Sequence, residues 1–202
     1  MRIGILSVQG AFLEHEAMLK SLGAQCFQIR QKKDLADGPP DGLVLPGGES
    51  TVMHKLLLEL ELYEPLKEML ENGLPVLATC AGLILLARKK EDGGPVCFGT
   101  LPVTVRRNAY GRQLGSFRTE GDFKGIGPVP MTFIRAPLIL RASPETEILA
   151  AIQRPEGEQI AAVRFGSQLA MSFHPELTDN PAVHAFFLDM ICLLYTSDAA
   201  DE

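Results

Sequence analysis

The sequence predicts a single-domain α/β fold with a mixed, mostly parallel central sheet and helices on both faces. In the first ninety residues, short apolar runs alternate with stretches of helical spacing, which is typical of a parallel sheet covered on both sides. Beyond Gly93 the runs become short and alternating, and we interpret them as antiparallel or mixed additions to the same sheet. No linker rich in Gly, Ser or Pro separates the two halves, and 202 residues suit one domain.

The predicted elements follow one another in a regular order. Apolar and β-branched runs predict strands at residues 3–8, 25–29, 43–45 and 75–79. Apolar residues at helical spacing predict helices at residues 12–22, 51–60, 64–70 and 81–88. In the second half we expect strands at 101–107, 159–165 and 169–173, a turn-rich stretch at 125–130 and a helix at 181–191.

Composition excludes several classes of protein. The formal net charge of −6 argues against nucleic acid or an anionic membrane as the main partner. No apolar run reaches the roughly 18 residues of a spanning helix, and the first residues lack the pattern of a signal peptide. Four cysteines without a CxxC pair fit a reducing cytoplasm. The histidines form no metal-binding pattern with one another or with the cysteines, so we predict no metal and no cofactor.

The last eleven residues have a separate interpretation. Residues 192–202 read CLLYTSDAADE and resemble the translated end of a sequencing adapter. The alternative is a genuine polar tail, since terminal residues are often frayed. We favour the adapter and expect the native domain to be residues 1–191.

Cys80 lies where a predicted strand ends and a predicted helix begins. Small residues two positions before and after it, Ala78 and Gly82, permit the sharp turn that exposes a nucleophile above a sheet. A helix N-terminus also favours the thiolate form of a cysteine. The alternative is a buried structural cysteine on an apolar strand. The turn makes Cys80 a candidate nucleophile.

A candidate base and its orienting acid lie at the end of a later strand. His174 ends that strand, and Glu176 follows it across a rigid proline. A nucleophilic cysteine needs such a base, which in turn needs a carboxylate on its other ring nitrogen. Taken alone, the triplet also fits a surface turn. The hypothesis therefore requires the two strands that carry Cys80 and His174 to be neighbours.

A glycine-rich loop at residues 46–51, PGGEST, connects a strand to a helix. It lacks the Gly-Lys-Ser/Thr of a phosphate-binding loop, and Glu49 would repel phosphate. Such a loop can instead present N–H groups to an oxyanion, and its paired glycines allow a peptide plane to rotate. The alternative is a plain turn in which Ser50 or Thr51 caps the following helix. Three arginines follow or end strand-like runs: Arg107, Arg112 and Arg135. A guanidinium at such a position can hold a carboxylate, and the alternative is a solvated side chain at the surface.

These segments together resemble the glutaminase subunits of pyridoxal 5′-phosphate synthases, which are class I, triad-type glutamine amidotransferases with a flavodoxin-like fold. The resemblance runs from residue 1 to about residue 190 and rests on six segments. The Cys80 turn and the His-Pro-Glu triplet are common to the whole class. The segments characteristic of this branch are PGGEST at 46–51, RNAYGRQ at 107–113 and FIRAP at 133–137.

The resemblance implies a function and a set of site residues. Cys80 would be the nucleophile, His174 its base and Glu176 the orienting acid of a reaction that hydrolyses L-glutamine to glutamate and ammonia. The residues implied to contact glutamine are Gly48, Glu49, Ser50, Arg107, Ile134 and Arg135. Gly48 and Ala81 would offer the N–H groups of the oxyanion hole. The implied partner is a barrel-type synthase subunit that receives the ammonia. The alternatives are an amidotransferase subunit of another pathway, such as histidine biosynthesis, and a catalytically idle regulatory subunit.

Overall fold

The computed structural model describes residues 1–107 and 116–198. Its strands are β1 Arg2–Leu6, β2 Gln25–Ile29, β3 Gly42–Leu45, β4 Val76–Thr79, β5 Ala87–Lys90, β6 Leu101–Arg106, β7 Ser116–Phe123, β8 Gly127–Ile134, β9 Leu138–Ala142, β10 Glu147–Arg154, β11 Gly157–Phe165 and β12 Gln168–Met171. Its α-helices are α1 Phe12–Ser21, α2 Ser50–Glu59, α3 Tyr63–Glu71, α4 Ala81–Leu86 and α5 Ala182–Asp198. Short 3₁₀ turns occupy Lys32–Leu35 and Pro175–Leu177.

The described strands form one mixed sheet. Its main path runs β2-β1-β3-β4-β12-β11-β10-β7-β8, and β9, β6 and β5 branch from β11. The neighbours from β2 to β12 pair in parallel, whereas β11 and the later strands of the main path pair in antiparallel fashion. In the branch, β9 is antiparallel to β11 and β6, and β6 is parallel to β5. The predicted single-domain fold with a mixed sheet is therefore confirmed. The two halves of the chain meet where β12 joins β4.

Helices cover both faces of the parallel part. On β3, the side chains of Leu43 and Leu45 pack with α2, α3 and α4, while Val44 packs on the opposite face with α1 and α5. Because both faces are covered, β3 is buried at every position. This explains why its sequence is continuously apolar instead of alternating.

The helix that follows Cys80 is shorter than predicted. We expected it to reach residue 88, but α4 ends at Leu86 and the chain continues directly into β5, which pairs with β6. Every residue from Ala81 to Ala87 is buried, so the apolar pattern carries no period that could mark the helix end. Arg88, Lys89 and Lys90 consequently lie on β5.

We expected residues 125–130 to be rich in turns. Residues 125 and 126 belong to the turn between β7 and β8, but residues 127–130 are the first four of β8. This stretch contains Pro128 and Pro130, and proline is excluded from central strands. Both lie on β8, which is the last strand of the main path and pairs with β7. An edge strand tolerates residues that cannot donate to a ladder, so the prolines are compatible with this position.

The last helix is longer than predicted. It continues beyond Ile191 to Asp198, and Phe187, Met190 and Ile191 are buried against the sheet. Leu194 also packs on this core. The origin of residues 192–202 remains a prediction. Within the described ranges, no helix is both long and apolar enough to cross a membrane.

Candidate active site

The two strands that precede the candidate nucleophile and base are direct neighbours. β4 and β12 pair in parallel, with Thr79 opposite Met171. The N–H of Cys80 then donates to the carbonyl oxygen of Met171 at 2.9 Å. Parallel strands end at the same edge of a sheet, so Cys80 and His174 emerge side by side. The adjacency that the sequence hypothesis required is present.

Cys80 occupies a strained turn between β4 and α4. Its φ is 49° and its ψ is −102°, a conformation that costs a residue with a side chain about 1–3 kcal/mol. The turn is possible because Gly82 lets α4 approach β3 closely. A Cβ on Gly82 would lie 2.0 Å from the carbonyl oxygen of Leu45. The Sγ of Cys80 lies 3.9 Å from the carbonyl oxygen of Ile134 and retains slight exposure to the cleft.

His174 is held between Cys80 and Glu176. Its Nδ1 lies 2.7 Å from Oε1 of Glu176, which leaves Nε2 for the thiol. Burial opposes the charged ring, but hydrogen bonds with Cys80 and Glu176 outweigh it and raise the pKa of His174 to about 10. Such an imidazolium stabilises a neighbouring thiolate.

Glu176 is buried behind His174 and charged. Burial disfavours its carboxylate, yet His15 and His174 together hold its pKa below the usual range. Its second oxygen, Oε2, lies 3.3 Å from Nε2 of His15, without the alignment of a full hydrogen bond. His15 in turn contacts His184, and both rings are fully buried. The orienting acid thus has histidine neighbours on two sides.

An open cleft of about 490 Å³ lies in front of Cys80 and His174. Most of the predicted site residues line it: Gly48, Glu49, Ser50, Cys80, Arg107, Ile134, Arg135 and His174. Ala81 begins α4 beside it, so its N–H has no partner four residues earlier in the helix. The structure therefore brings the predicted residues to one place, with Glu176 behind them. Arg112 and the rest of residues 108–115 lie outside the described part of the chain.

The glycine-rich loop packs directly on the candidate base. A Cβ on Gly47 would lie 2.3 Å from Cε1 of His174, so only glycine fits there with the ring in place. The carbonyl oxygen of Gly47 accepts a hydrogen bond from the N–H of Ala11 at 3.1 Å. The N–H of Glu49 donates to Oε1 of Gln9 at 2.9 Å. The segment after β1 therefore sets the orientation of this loop.

The helix that follows the loop is capped by a residue we did not predict for this role. Glu49, not Ser50 or Thr51, is the N-cap of α2, and its carboxylate accepts from the N–H groups of Thr51 and Val52. Partial burial disfavours the carboxylate, but these hydrogen bonds keep the pKa of Glu49 below its usual range.

The two arginines of the cleft differ in their partners. The guanidinium of Arg107 donates to Asp92 at 2.6 Å and to Oγ1 of Thr51 at 3.1 Å. Arg135 is exposed, has a strained φ of 44°, and makes no hydrogen bond or ion pair with the described residues. Arg135 is thus the better placed of the two to receive a ligand carboxylate.

Sequence reasoning missed part of the site. Gln9, Gly10 and Ala11 line the cleft, and the available signal was their position at the end of β1, on the same sheet edge as Cys80. His15 was also missed as a site neighbour. The signal was a histidine four residues before Leu19 on the buried face of α1.

Comparison with known proteins agrees with this geometry. A model of the SNO glutamine amidotransferase family matches residues 5–193. The pyridoxal 5′-phosphate synthase subunit PdxT of Desulfitobacterium hafniense is 54% identical over 95% of this chain and 94% of its own length. Its namesake from Methanocorpusculum labreanum is 52% identical over 95% of this chain and 98% of its own.

A solved structure supports the same assignment. The crystal structure of a glutamine amidotransferase matches with a TM-score of 0.85 and 37% identity, over 94% of this chain and 98% of that one. The family match covers nearly the whole described sheet, including the turn at Cys80 and the segment at His174. The chain belongs to the SNO glutamine amidotransferase family.

Proposed function

We propose that this chain is the glutaminase subunit of a pyridoxal 5′-phosphate synthase and hydrolyses L-glutamine with Cys80, His174 and Glu176. The observation that carries the proposal is the arrangement of these three side chains at one end of a cleft. His174 interacts with Cys80 on one side and with Glu176, at 2.7 Å, on the other. The names of the relatives at 52–54% identity support the pathway.

The proposed chemistry has two halves. The thiolate of Cys80 attacks the side-chain amide carbon of glutamine, and the carbonyl oxygen becomes an oxyanion. His174 gives its proton to the leaving nitrogen, so that ammonia departs and a thioester remains on Cys80. Water then loses a proton to His174 and attacks the thioester, and the intermediate collapses to release glutamate and restore the thiolate of Cys80 beside the protonated ring of His174. Glu176 keeps the ring oriented throughout.

The remaining cleft residues bind glutamine in this proposal. The N–H groups of Gly48 and Ala81 stabilise the oxyanion by donating to the oxygen that gains negative charge when Cys80 attacks the carbon. Arg135 holds the α-carboxylate of glutamine. The other contacts are supplied by Glu49, Ser50, Arg107 and Ile134.

The ammonia passes to a separate, barrel-type synthase subunit in the cytoplasm. We further propose that this partner switches the glutaminase on. The loop that carries Gly48 is held by hydrogen bonds from the segment at Gln9 and Ala11, and Gly10 between them is exposed. A partner that contacts this segment therefore has a direct route to the orientation of the oxyanion donor.

Glutamate release at saturating glutamine, measured with and without the synthase subunit, tests the proposal. One oxyanion donor is worth about 10²–10³ in rate, so the partner is expected to raise kcat by roughly that factor. Equal kcat in both conditions would contradict the switch. If no glutamate is released with or without the synthase subunit, the proposed function itself is contradicted.

A further inference from the structure

Two buried histidines lie behind the triad and take no part in the bond-making and bond-breaking steps of the proposed glutamine hydrolysis. His15 on α1 and His184 on α5 are fully buried, and Nδ1 of His15 lies 2.9 Å from Nε2 of His184. The other nitrogen of His15, Nε2, lies 3.2 Å from Oγ1 of Thr79 and 3.3 Å from Oε2 of Glu176. The pair therefore forms a polar connection from α5 through α1 to the orienting acid.

Both rings are held in the neutral form. Burial lowers the pKa of His15, even though the charge of Glu176 favours its protonation. The pKa of His184 falls to about 3 through burial and through its proximity to His15. The titratable groups that face the pair are Glu176 and His174 from the segment after β12 and Glu14 from α1. The connection thus carries no positive charge of its own at neutral pH.

The proton positions follow from this neutrality. Nε2 of His15 faces the hydroxyl oxygen of Thr79, which can accept, and the ionised carboxylate of Glu176, which can only accept, so Nε2 carries the proton. Nδ1 of His15 is then an acceptor, and Nε2 of His184 must donate to it. Nδ1 of His184 is left without a proton, and it is the nitrogen that has no hydrogen-bond partner in the described structure. In the opposite arrangement, Nδ1 of His15 would donate to Nε2 of His184. A buried N–H of His184 would then lack an acceptor, and the lone pair of His15 Nε2 would face the carboxylate of Glu176.

We infer that His15 is a positioning residue of the glutaminase, which presents its Nε2–H to Oε2 of Glu176, and that His184 fixes the tautomer that makes this possible. Oε1 of Glu176 receives the proton of His174 Nδ1, and Oε2 faces that of His15. The carboxylate is therefore hydrogen-bonded to His174 at one oxygen and lies 3.3 Å from the N–H-bearing nitrogen of His15 at the other, which stabilises its charge. With Glu176 fixed and charged, His174 keeps its Nε2 directed at Cys80.

Removing the donor is expected to lower kcat and leave KM unchanged, since His15 has no surface in the cleft. Residues that hydrogen-bond to metal ligands contribute about 10–100-fold to activity, and we expect a comparable loss of kcat in His15→Leu. Glu176 would lose a donor and its pKa would rise. The acid limb of the kcat profile would then move to higher pH.

A set of variants separates positioning from structure. The amide nitrogen of glutamine can take the place of Nε2, so His15→Gln is expected to retain more activity than His15→Leu. His184→Phe keeps a ring but removes the donor to His15 and is expected to shift the acid limb in the same direction. His54→Gln is the control, because His54 stacks on Tyr63 outside the cleft. It should leave both kcat and the pH profile unchanged.

The measurements are glutamate release against pH, with the synthase subunit present, and nitrogen-15 NMR of the imidazole rings in the free chain. NMR should find both rings neutral, with the proton on Nε2 of His15 and of His184. A proton on Nδ1 of His15, or a pH profile unchanged in shape in His15→Leu, would overturn the inference. If that variant does not fold, His184→Phe and His15→Gln provide the same comparison.

This inference rests on the proposed glutaminase activity, but its failure is distinguishable from failure of that activity. If the unmodified chain releases no glutamate with its partner, the proposed function is wrong, whereas the tautomers remain measurable by NMR. A variant that is only destabilised would lower the amount of active protein at every pH and would leave the acid limb in place.

Discussion

The two sides of the cleft are built in different ways. On the triad side, His174 and Glu176 are 6% and 5% exposed, and they hydrogen-bond to each other inside the protein. On the rim, Glu49 and Arg135 are exposed, and Ile134 is 40% exposed. The triad is assembled by the sheet and by α1, whereas the rim is shaped by loops. We infer that the triad is set before substrate arrives and that the loops of the rim are completed by substrate or partner.

Both sides nevertheless store backbone strain. Cys80 on the triad side and Arg135 on the rim have φ values of 49° and 44°, which residues other than glycine rarely adopt. The two positions are linked, because the carbonyl oxygen of Ile134 lies 3.9 Å from Sγ of Cys80. Strain of this kind persists only where the surrounding packing imposes it. The comparison can be tested from either side.

The largest effect is expected on the triad side. Cys80→Ala removes the nucleophile and is expected to lower glutamate release by at least about 10³-fold, because no other group can form the thioester. Binding to the synthase subunit and the thermal unfolding midpoint should be nearly unchanged. Cys26→Ala is the matched control, since Cys26 lies on β2 away from the cleft. Residual activity above about one percent in Cys80→Ala would contradict the role of the thiol.

A substitution at the boundary between the two sides should have an intermediate effect. Gly47→Ala places a Cβ where the ring of His174 now lies, at 2.3 Å from Cε1, so that the loop or the ring must move. A displacement of about 1 Å in a catalytic group can cost roughly 10²-fold in rate, which is the loss we expect in kcat.

Gly73→Ala controls for the general cost of replacing a glycine. Its φ is 87°, so the substitution strains the backbone, but a Cβ there meets no other atom within 4 Å. This variant should lower stability and leave kcat unchanged. If Gly47→Ala behaves like Gly73→Ala, the close packing of the loop on His174 has no catalytic importance.

The smallest effect is expected on the rim. Arg135→Lys keeps the charge but cannot reproduce a bidentate contact with a carboxylate. The expected loss in kcat/KM for glutamine is about tenfold, equivalent to ~1.4 kcal/mol. Arg88→Lys on β5, where the side chain is also exposed, is the control. A wild-type kcat/KM in Arg135→Lys would remove Arg135 from the binding site.

The sequence predicted the structure well where a local pattern is typical of one kind of element or site. Central parallel strands such as β3 were predicted because their runs are apolar throughout. The edge strand β2, which contains two glutamines, was predicted with its observed bounds, residues 25–29. Cys80, His174 and Glu176 were predicted because strand ends of a parallel sheet converge on one edge. That these three side chains lie together depends on the pairing of β12 with β4. In that pairing Thr79 lies opposite Met171, which is 92 positions later in the sequence.

The rest depends on tertiary contacts that leave no local signal. The end of α4 is set by the pairing of β5 with β6, and the prolines of β8 are tolerated because that strand lies at an edge. The contact of His15 with His184 joins residues 169 positions apart. No sequence motif links the two histidines, so only the packing of α1 against α5 shows that they are in contact.

The central claim is that glutamine is hydrolysed through a covalent bond to Cys80, and direct detection of that intermediate is its most decisive test. The chain, its synthase subunit and glutamine would be mixed and quenched in acid, and the peptides analysed by mass spectrometry. We predict a γ-glutamyl adduct on the peptide that contains Cys80, absent from the Cys80→Ala variant. Steady glutamate release without an adduct at Cys80, and undiminished in Cys80→Ala, would contradict the account.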